Sequence, residues 1–268
     1  MKQLPDLTPE KLRQIKVVLT DIDDTLTTNG RLTGEAYIKL ESLREAGFIV
    51  IPVTGRCAGW CDHIVRMWPI DAIIGENGAF YSRYDHNNKA LHKKFDQDEP
   101  ERIENTRRLK ALYKTIETAF PGITMASDQL YRETDMAIDI AEDVARLSSQ
   151  KVQQIVNLAQ AAGANALVSS IHINCWFGDH SKLSTTLRAL KENFGLDEKS
   201  LQSEVLFVGD SPNDATMFGY FANSVGVANV LDTLEFLTEC PTYVTRNKSG
   251  SGFVELANHL LGKSTPTS

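Results

Sequence analysis

Long apolar runs are missing from this 268-residue chain. None approaches the roughly 18 consecutive residues that a membrane span requires. Positive charge is also short: 28 Lys and Arg stand against 35 Asp and Glu, a formal charge of −7. The two signs are mixed, with no basic stripe of the kind a nucleic acid or an anionic membrane calls for. The cluster of Arg107, Arg108, Lys110 and Lys114 reads as the solvated, dipole-matched end of a helix. Cysteine is sparse, at positions 57, 61, 175 and 240. On one helix, Cys57 and Cys61 would hold their Cβ atoms about 5–6 Å apart, wider than the ~3.5–4.5 Å of a disulfide. No further ligands stand at zinc spacing, so the thiols read as small apolar residues. Residues 1–6 contain no apolar stretch of a secretory signal, which sets the expectation of a cytoplasmic protein. Repeats and low-complexity segments are absent too. A hydrophobic content of 42% suffices for one domain, or one with an insertion.

What is present is organised around residues 16–27, KVVLTDIDDTLT. Val17, Val18 and Leu19 make the apolar run of a short buried strand, which stops at Asp21, Asp23 and Asp24. Acids placed there lie at the carboxyl end of a strand, where open α/β sheets bind ligands. Asp21 and Asp23 are close enough to act on one substrate, and their repulsion demands a cation or a raised pKa. Strand alternation turns Asp24 away from Asp23 and makes it structural. A second apolar strand, residues 48–53, ends in Thr54, Gly55 and Arg56. Lys182 opens a helical pattern after Asp179, His180 and Ser181. A third strand, residues 205–208, ends in GDSPND at 209–214. The helical pattern of residues 33–46 joins the first two strands as a βαβ crossover, hence a parallel sheet.

This ordered set resembles the haloacid dehalogenase (HAD) superfamily of phosphotransferases. DIDDTL matches its DxDxT motif, VTGR the second motif, Lys182 the third and GDSPND the GDxxND fourth. Within the superfamily the chain resembles the Cof-like class IIB phosphatases, of the sucrose-phosphatase and mannosyl-3-phosphoglycerate-phosphatase kind. The fold class expected is α/β, a Rossmann-like parallel-sheet core with an inserted α+β cap of C2 type. Residues 1–84 and 181–268 would form the core and residues 85–180 the cap. In the insertion, helices at 100–120 and 148–162 and strands at 123–126, 135–141, 166–169 and 171–176 give the order αββαββ. That order describes a four-stranded antiparallel sheet with helices on one side. Residues 85–99 show no clear period and read as a boundary. Residues 262–268 read as a frayed polar tail.

The resemblance implies a Mg²⁺-dependent phosphomonoesterase acting through an aspartyl-phosphate. Its substrate would be a small phosphorylated metabolite, a sugar or sugar-acid phosphate. Asp21 would be the nucleophile, Asp23 the general acid and base, and Lys182 a point charge beside the phosphate. Asp21, Asp210 and Asp214 would hold Mg²⁺, with the Asp23 backbone carbonyl as a further ligand. Thr54 and the Gly55 amide would bind phosphate oxygens, Arg56 would reach substrate or brace the loop, and Ser211 and Asn213 would orient the metal loop. Thr25 would tie the acidic loop by its hydroxyl. Asn77 sits where the chain leaves the core near the site. In residues 171–176, alternation puts Ile171, Ile173 and Cys175 against the cap helices, with Met136, Ile138 and Ile140. His172, Asn174, Trp176 and Asp139 then form an open face toward the phosphate site, where His172 and Asn174 suit a hydroxylated leaving group. Two alternatives stay open. One is a phosphomutase of the same superfamily, told apart by isomerisation in place of phosphate release. The other is a phospho-acceptor signalling module, which would lack both the Asp23 acid/base and a cap.

Overall fold

The structure, a computed structural model, describes residues 1–262. The tail expected at its end falls from residue 263 onward outside the described residues. At its centre lies a six-stranded parallel sheet in the order Lys2–Gln3, Tyr243–Val244, Asn223–Gly226, Val205–Gly209, Val17–Thr20, Ile49–Pro52. All four residues of Val17–Thr20 are buried, as both-face coverage of a parallel strand requires. Alternation divides them. Val18 faces Leu40, Leu43, Phe253 and Leu256 on one side, and Val17 and Leu19 face Leu190, Met217 and Phe218 on the other. Helices Gly34–Glu45 and Ser249–Leu261 cover the first face, and Lys182–Phe194 and Ala215–Tyr220 the second. Thr33 and Ser181 begin two of these helices by accepting from the amides three residues on.

The inserted unit packs helices Glu99–Ala119 and Ser149–Ala161 on a sheet ordered Asn165–Val168, His172–Trp176, Met136–Asp139. Its own core joins Leu109, Leu112, Ile116, Ile155 and Ala159 to Met136, Ile138, Ile140, Ile173 and Cys175. Three strands stand where four were expected. Residues 123–126 run alongside but contribute a single bridge, Met125 to Ile138. Two hydrogen bonds flank that bridge, the Ala126 amide to the Ala137 carbonyl at 2.9 Å and the Asp139 amide to the Thr124 carbonyl at 3.1 Å, and the pairing goes no further on either side.

Residues 85–99 are more regular than their sequence suggests. Ala90–Phe95 pairs antiparallel with Phe80–Asp85, and the Asp85 carboxylate accepts from the amides of Asn87 and Asn88 to close the turn. Two other elements went unsignalled, the edge strand Lys2–Gln3 and the short helix Glu198–Glu204. The polar side of His172–Trp176 is also not open. His172, Asn174, Trp176 and Asp139 are all buried, because the core domain lies directly against that face. Ile171 departs from its strand mates and lines the cleft between the two units instead.

Candidate active site

All six strands of the sheet are parallel, so residues that follow a strand gather at one edge. Asp21 follows Val17–Thr20 and its amide donates to the Val208 carbonyl at 2.9 Å. Asp210 follows Val205–Gly209, and Lys182 opens the Lys182–Phe194 helix. Lys182 Nζ donates to Asp21 Oδ1 at 2.7 Å and to Asp214 Oδ1 at 2.8 Å. Asp21, Asp210 and Asp214, all buried, bring carboxylate oxygens within 4.8 Å of one another. The other oxygen of Asp214 accepts from the amides of Asp210 and Ser211, which folds the GDSPND loop back on itself. Thr25 Oγ1 donates to Asp210 Oδ1 at 3.1 Å, tying the two acidic loops together.

Charge in this cluster is unbalanced. Burial pushes the Asp21 carboxyl up to about 8 against the pull of Lys182, and the charges of Asp214 and Asp23 add to the rise. Asp210 is raised well above its ordinary value by burial and by the charges of Asp21, Asp214 and Asp24. Burial works against the Lys182 ammonium, yet Asp21 and Asp214 hold it above its ordinary value. Three ionised carboxylates beside one ammonium would carry an excess of negative charge, which together with burial raises Asp21 and Asp210. The donors are hard oxygens on neighbouring loops, and a small divalent cation fits both the charge and the chemistry.

Asp23 lies outside that trio. Arg56 grips it two-pronged, Nε to Oδ2 at 2.9 Å and Nη2 to Oδ1 at 2.7 Å. The remaining edge of the guanidinium, Nη1, donates to Glu142 Oε1 at 2.7 Å, and its face lies 4.4 Å from the Trp60 ring centroid. Glu142 comes from the inserted unit, and its second oxygen is 2.8 Å from His172 Nε2. Burial would raise the Glu142 carboxyl, but His172 and Arg56 together hold it down at about 2.

Between the two units opens a cleft of about 330 Å³, mouth included. Asp21, Asp23, Gly55, Arg56, Ser211 and Asn213 line its core side, and His172 and Asn174 with Ser169, Ser170 and Ile171 its other side. Ser211 Oγ donates to Asn213 Oδ1 at 2.6 Å. Thr54, Asn77, Lys182, Asp210 and Asp214 stand behind this lining. The Thr54 hydroxyl accepts from the Arg56 amide at 3.0 Å. Asn77 Nδ2 and Asn174 Nδ2 both donate to Asp135 Oδ2, at 3.5 and 3.2 Å. Asp139 serves the loop beside it by accepting from the amides of Ala141, Glu142 and Asp143. Trp176 Nε1 donates to the His180 carbonyl.

Several residues at the site gave no separate sequence signal. The Arg132 side chain is fully buried, with Nη1 donating to Asp135 Oδ1 at 2.9 Å and to the Gly55 carbonyl at 3.0 Å. Glu76 accepts from the amides of Ala58, Glu133 and Thr134 and from the Thr134 hydroxyl. Asn229 Nδ2 donates to Asp210 Oδ2 at 3.0 Å and to the Asp24 carbonyl at 3.1 Å. Asn229 lies just past Asn223–Gly226, a strand of the parallel sheet, the position that marks Asp21 and Asp210, and that rule would have found it. Glu142 follows a strand of the antiparallel sheet, where the rule does not hold.

A parallel sheet whose carboxyl edge carries buried acids and a lysine, closed over by an α+β insertion, defines an α/β hydrolytic enzyme with a lidded site. A family model described as haloacid dehalogenase-like hydrolase matches residues 18–197, and the chain belongs to that family, as an enzyme of its phosphatase type. Phosphoglycolate phosphatase 1 of Saccharolobus solfataricus is 24% identical over 92% of this chain and 96% of its own. A crystal structure from Thermoplasma acidophilum superposes with a TM-score of 0.70 at 19% identity, covering 92% of this chain and 98% of that one. The sucrose-phosphatase of Synechocystis sp. PCC6803, solved with sucrose and phosphate, gives 0.60 at 15% identity over 92% and 98%. These likenesses extend over the insertion as well as the sheet.

Proposed function

We propose that the protein is a Mg²⁺-dependent phosphomonoesterase that acts through an aspartyl-phosphate on a small phosphorylated metabolite, a sugar or sugar-acid phosphate. The observation that carries this reading is the buried Asp21, Lys182, Asp210 and Asp214 cluster, set beside the Arg56-bound Asp23 at the floor of one cleft. Among the described residues, 85–180 act as the cap and 1–84 with 181–262 as the core. The Asp21 carboxylate attacks phosphorus while the ester oxygen departs with a proton from Asp23. Asp23 then takes a proton from water, and that water releases phosphate from Asp21. Lys182 offsets the charge on the transferring group, and the Thr54 and Gly55 segment binds its oxygens. Asp21, Asp210 and Asp214, with the Asp23 carbonyl, would hold Mg²⁺, which when bound neutralises phosphate charge and keeps Asp21 ionised. Arg56 orients Asp23 toward the leaving group. Buried free thiols at Cys57, Cys61 and Cys175 support a reducing compartment, the cytoplasm.

Two expected results test the reading. Exhaustive chelation with EDTA should stop phosphate release and Mg²⁺ should restore it. Ca²⁺ should support it poorly, because its larger and looser shell does not hold in-line geometry. Full turnover after chelation would remove the metal from the reaction. Separately, His172→Ala and Asn174→Ala should raise KM for the true substrate roughly tenfold, with a smaller effect on p-nitrophenyl phosphate. The cap touches only the leaving group, so equal effects on both substrates would move specificity to other residues.

A further inference from the structure

The contact between Arg56, Glu142 and His172 has no part in the chemistry above. The Glu142 backbone is pinned, since the Asp139 carboxylate accepts from its amide at 2.8 Å and from those of Ala141 and Asp143 at 3.0 and 2.9 Å. Its side chain is 25% exposed, whereas the Arg56 and His172 side chains that it bridges are only 4% and 3% exposed. A carboxylate on a rotatable stem thus plugs a fixed site built from a buried guanidinium edge and a buried imidazole.

We propose that Glu142 is an internal stand-in for a carboxylate of the substrate, and that Arg56 and His172 form the subsite for a small phosphorylated hydroxy acid whose acid group displaces it. The inference rests on the phosphatase reading and narrows its substrate class.

Charge favours an acid over a neutral sugar. When Glu142 swings out, Arg56 Nη1 and His172 lose an anionic partner inside the protein. Sugar hydroxyls would leave that edge without a counter-charge. A second carboxylate restores the charge-assisted bond to Arg56 Nη1 and offers an acceptor to the buried His172 Nε2, which is near Glu142 but not aligned for a hydrogen bond with it. Placement bears on the length of the substrate. One guanidinium holds Asp23 by Nε and Nη2 and Glu142 by Nη1. The acid-binding edge therefore adjoins the group that protonates the ester oxygen, which favours a substrate whose carboxylate stands close to that oxygen. Glu142 competes for the subsite, so the apparent affinity of the acid falls by the fraction of time that the plug is in place.

The test compares 2-phosphoglycolate, its neutral counterpart 2-hydroxyethyl phosphate, and p-nitrophenyl phosphate, each with Mg²⁺. The native enzyme should prefer the acid by roughly tenfold or more in kcat/KM. Glu142→Gln should lower KM for 2-phosphoglycolate about threefold or more relative to 2-hydroxyethyl phosphate. Glycolate should become a tighter competitive inhibitor of p-nitrophenyl phosphate hydrolysis in the same variant. His172→Ala should erase the preference. A higher KM for the acid in Glu142→Gln, or an unchanged acid-to-neutral ratio, overturns the inference by making Glu142 a direct substrate contact or a bystander. Turnover of p-nitrophenyl phosphate without preference for the acid overturns it alone. No phosphate release from any of the three overturns the phosphatase reading, and this inference with it.

Discussion

Asp21→Asn should lower kcat by at least ~10⁴-fold while leaving the protein folded. The amide keeps the size and shape of the carboxylate but has no charge with which to attack phosphorus. The fold should tolerate the change well in the absence of metal. Burial raises the Asp21 carboxyl to about 8, above its ordinary 3.8. The folded chain therefore holds a proton there that the unfolded chain releases, and stability falls as pH rises from about 4 to about 8. Asparagine removes that loss, so in EDTA near pH 8 the melting temperature should hold or rise. Phosphate release and a thermal melt on the same preparation check both halves. Near-normal turnover by a clean preparation would end the nucleophile assignment.

Arg132→Ala should be the most damaging substitution for stability, about 3–5 kcal/mol in a urea titration, because it strands buried carboxylates. The Arg132 side chain is 0% exposed, and its partners Asp135 and Asp128 are 0% and 8% exposed. Nε reaches Asp128 Oδ1 at 3.0 Å, and Nη1 reaches the Gly55 carbonyl at 3.0 Å, so the core domain feels the loss as well. Arg132→Lys should recover only part of it, since an ammonium cannot reproduce the planar fork. Arg107→Ala serves as the comparison. Its pair with Glu104 is exposed on both sides, and its loss should leave the urea midpoint unchanged. A loss below about 1 kcal/mol for Arg132→Ala would mean that water takes the place of the guanidinium.

The sheet could be read from the sequence because parallel strands buried on both faces are unbroken apolar runs, as at Val17–Thr20 and Val205–Gly209. The helix starts at Thr33, Asp98, Ser148 and Ser181 were equally plain, each supplying a side-chain oxygen to a nearby amide. Ala90–Phe95 was hidden by Lys93 and Lys94. The Lys93 ammonium in fact lies 5.0 Å from the Phe80 ring centroid, so a charged residue lies over an aromatic one. Asp21, Lys182, Asp210 and Asp214 meet because strand ends and a helix start converge on one edge, and that much follows from order alone. Glu142 is paired with Arg56 across the fold, and Arg132, though its acids Asp128 and Asp135 are four and three positions away, meets the core only at the distant Gly55 carbonyl. A buried ion pair leaves no periodicity in sequence, and the partners of Arg56 lie 33 and 86 positions away.

The joint between the sheet and the insertion has a consequence for how such a chain can vary. Gly78, where the chain departs, has φ 102°, and a Cβ there would sit 2.0 Å from the carbonyl oxygen of Ser181, where the chain returns. Thr185 Oγ1 donates to the Gly78 carbonyl at 2.6 Å and laces the two passages together. A segment whose ends already touch closes no new loop against the rest of the molecule when it grows or shrinks. The sheet and its acids can therefore stay fixed while stretches strung beyond that knot lengthen or shorten, provided the contacts of Arg132 with Gly55 and of Glu142 with Arg56 are kept. Position 78 itself must stay glycine, because no Cβ fits there.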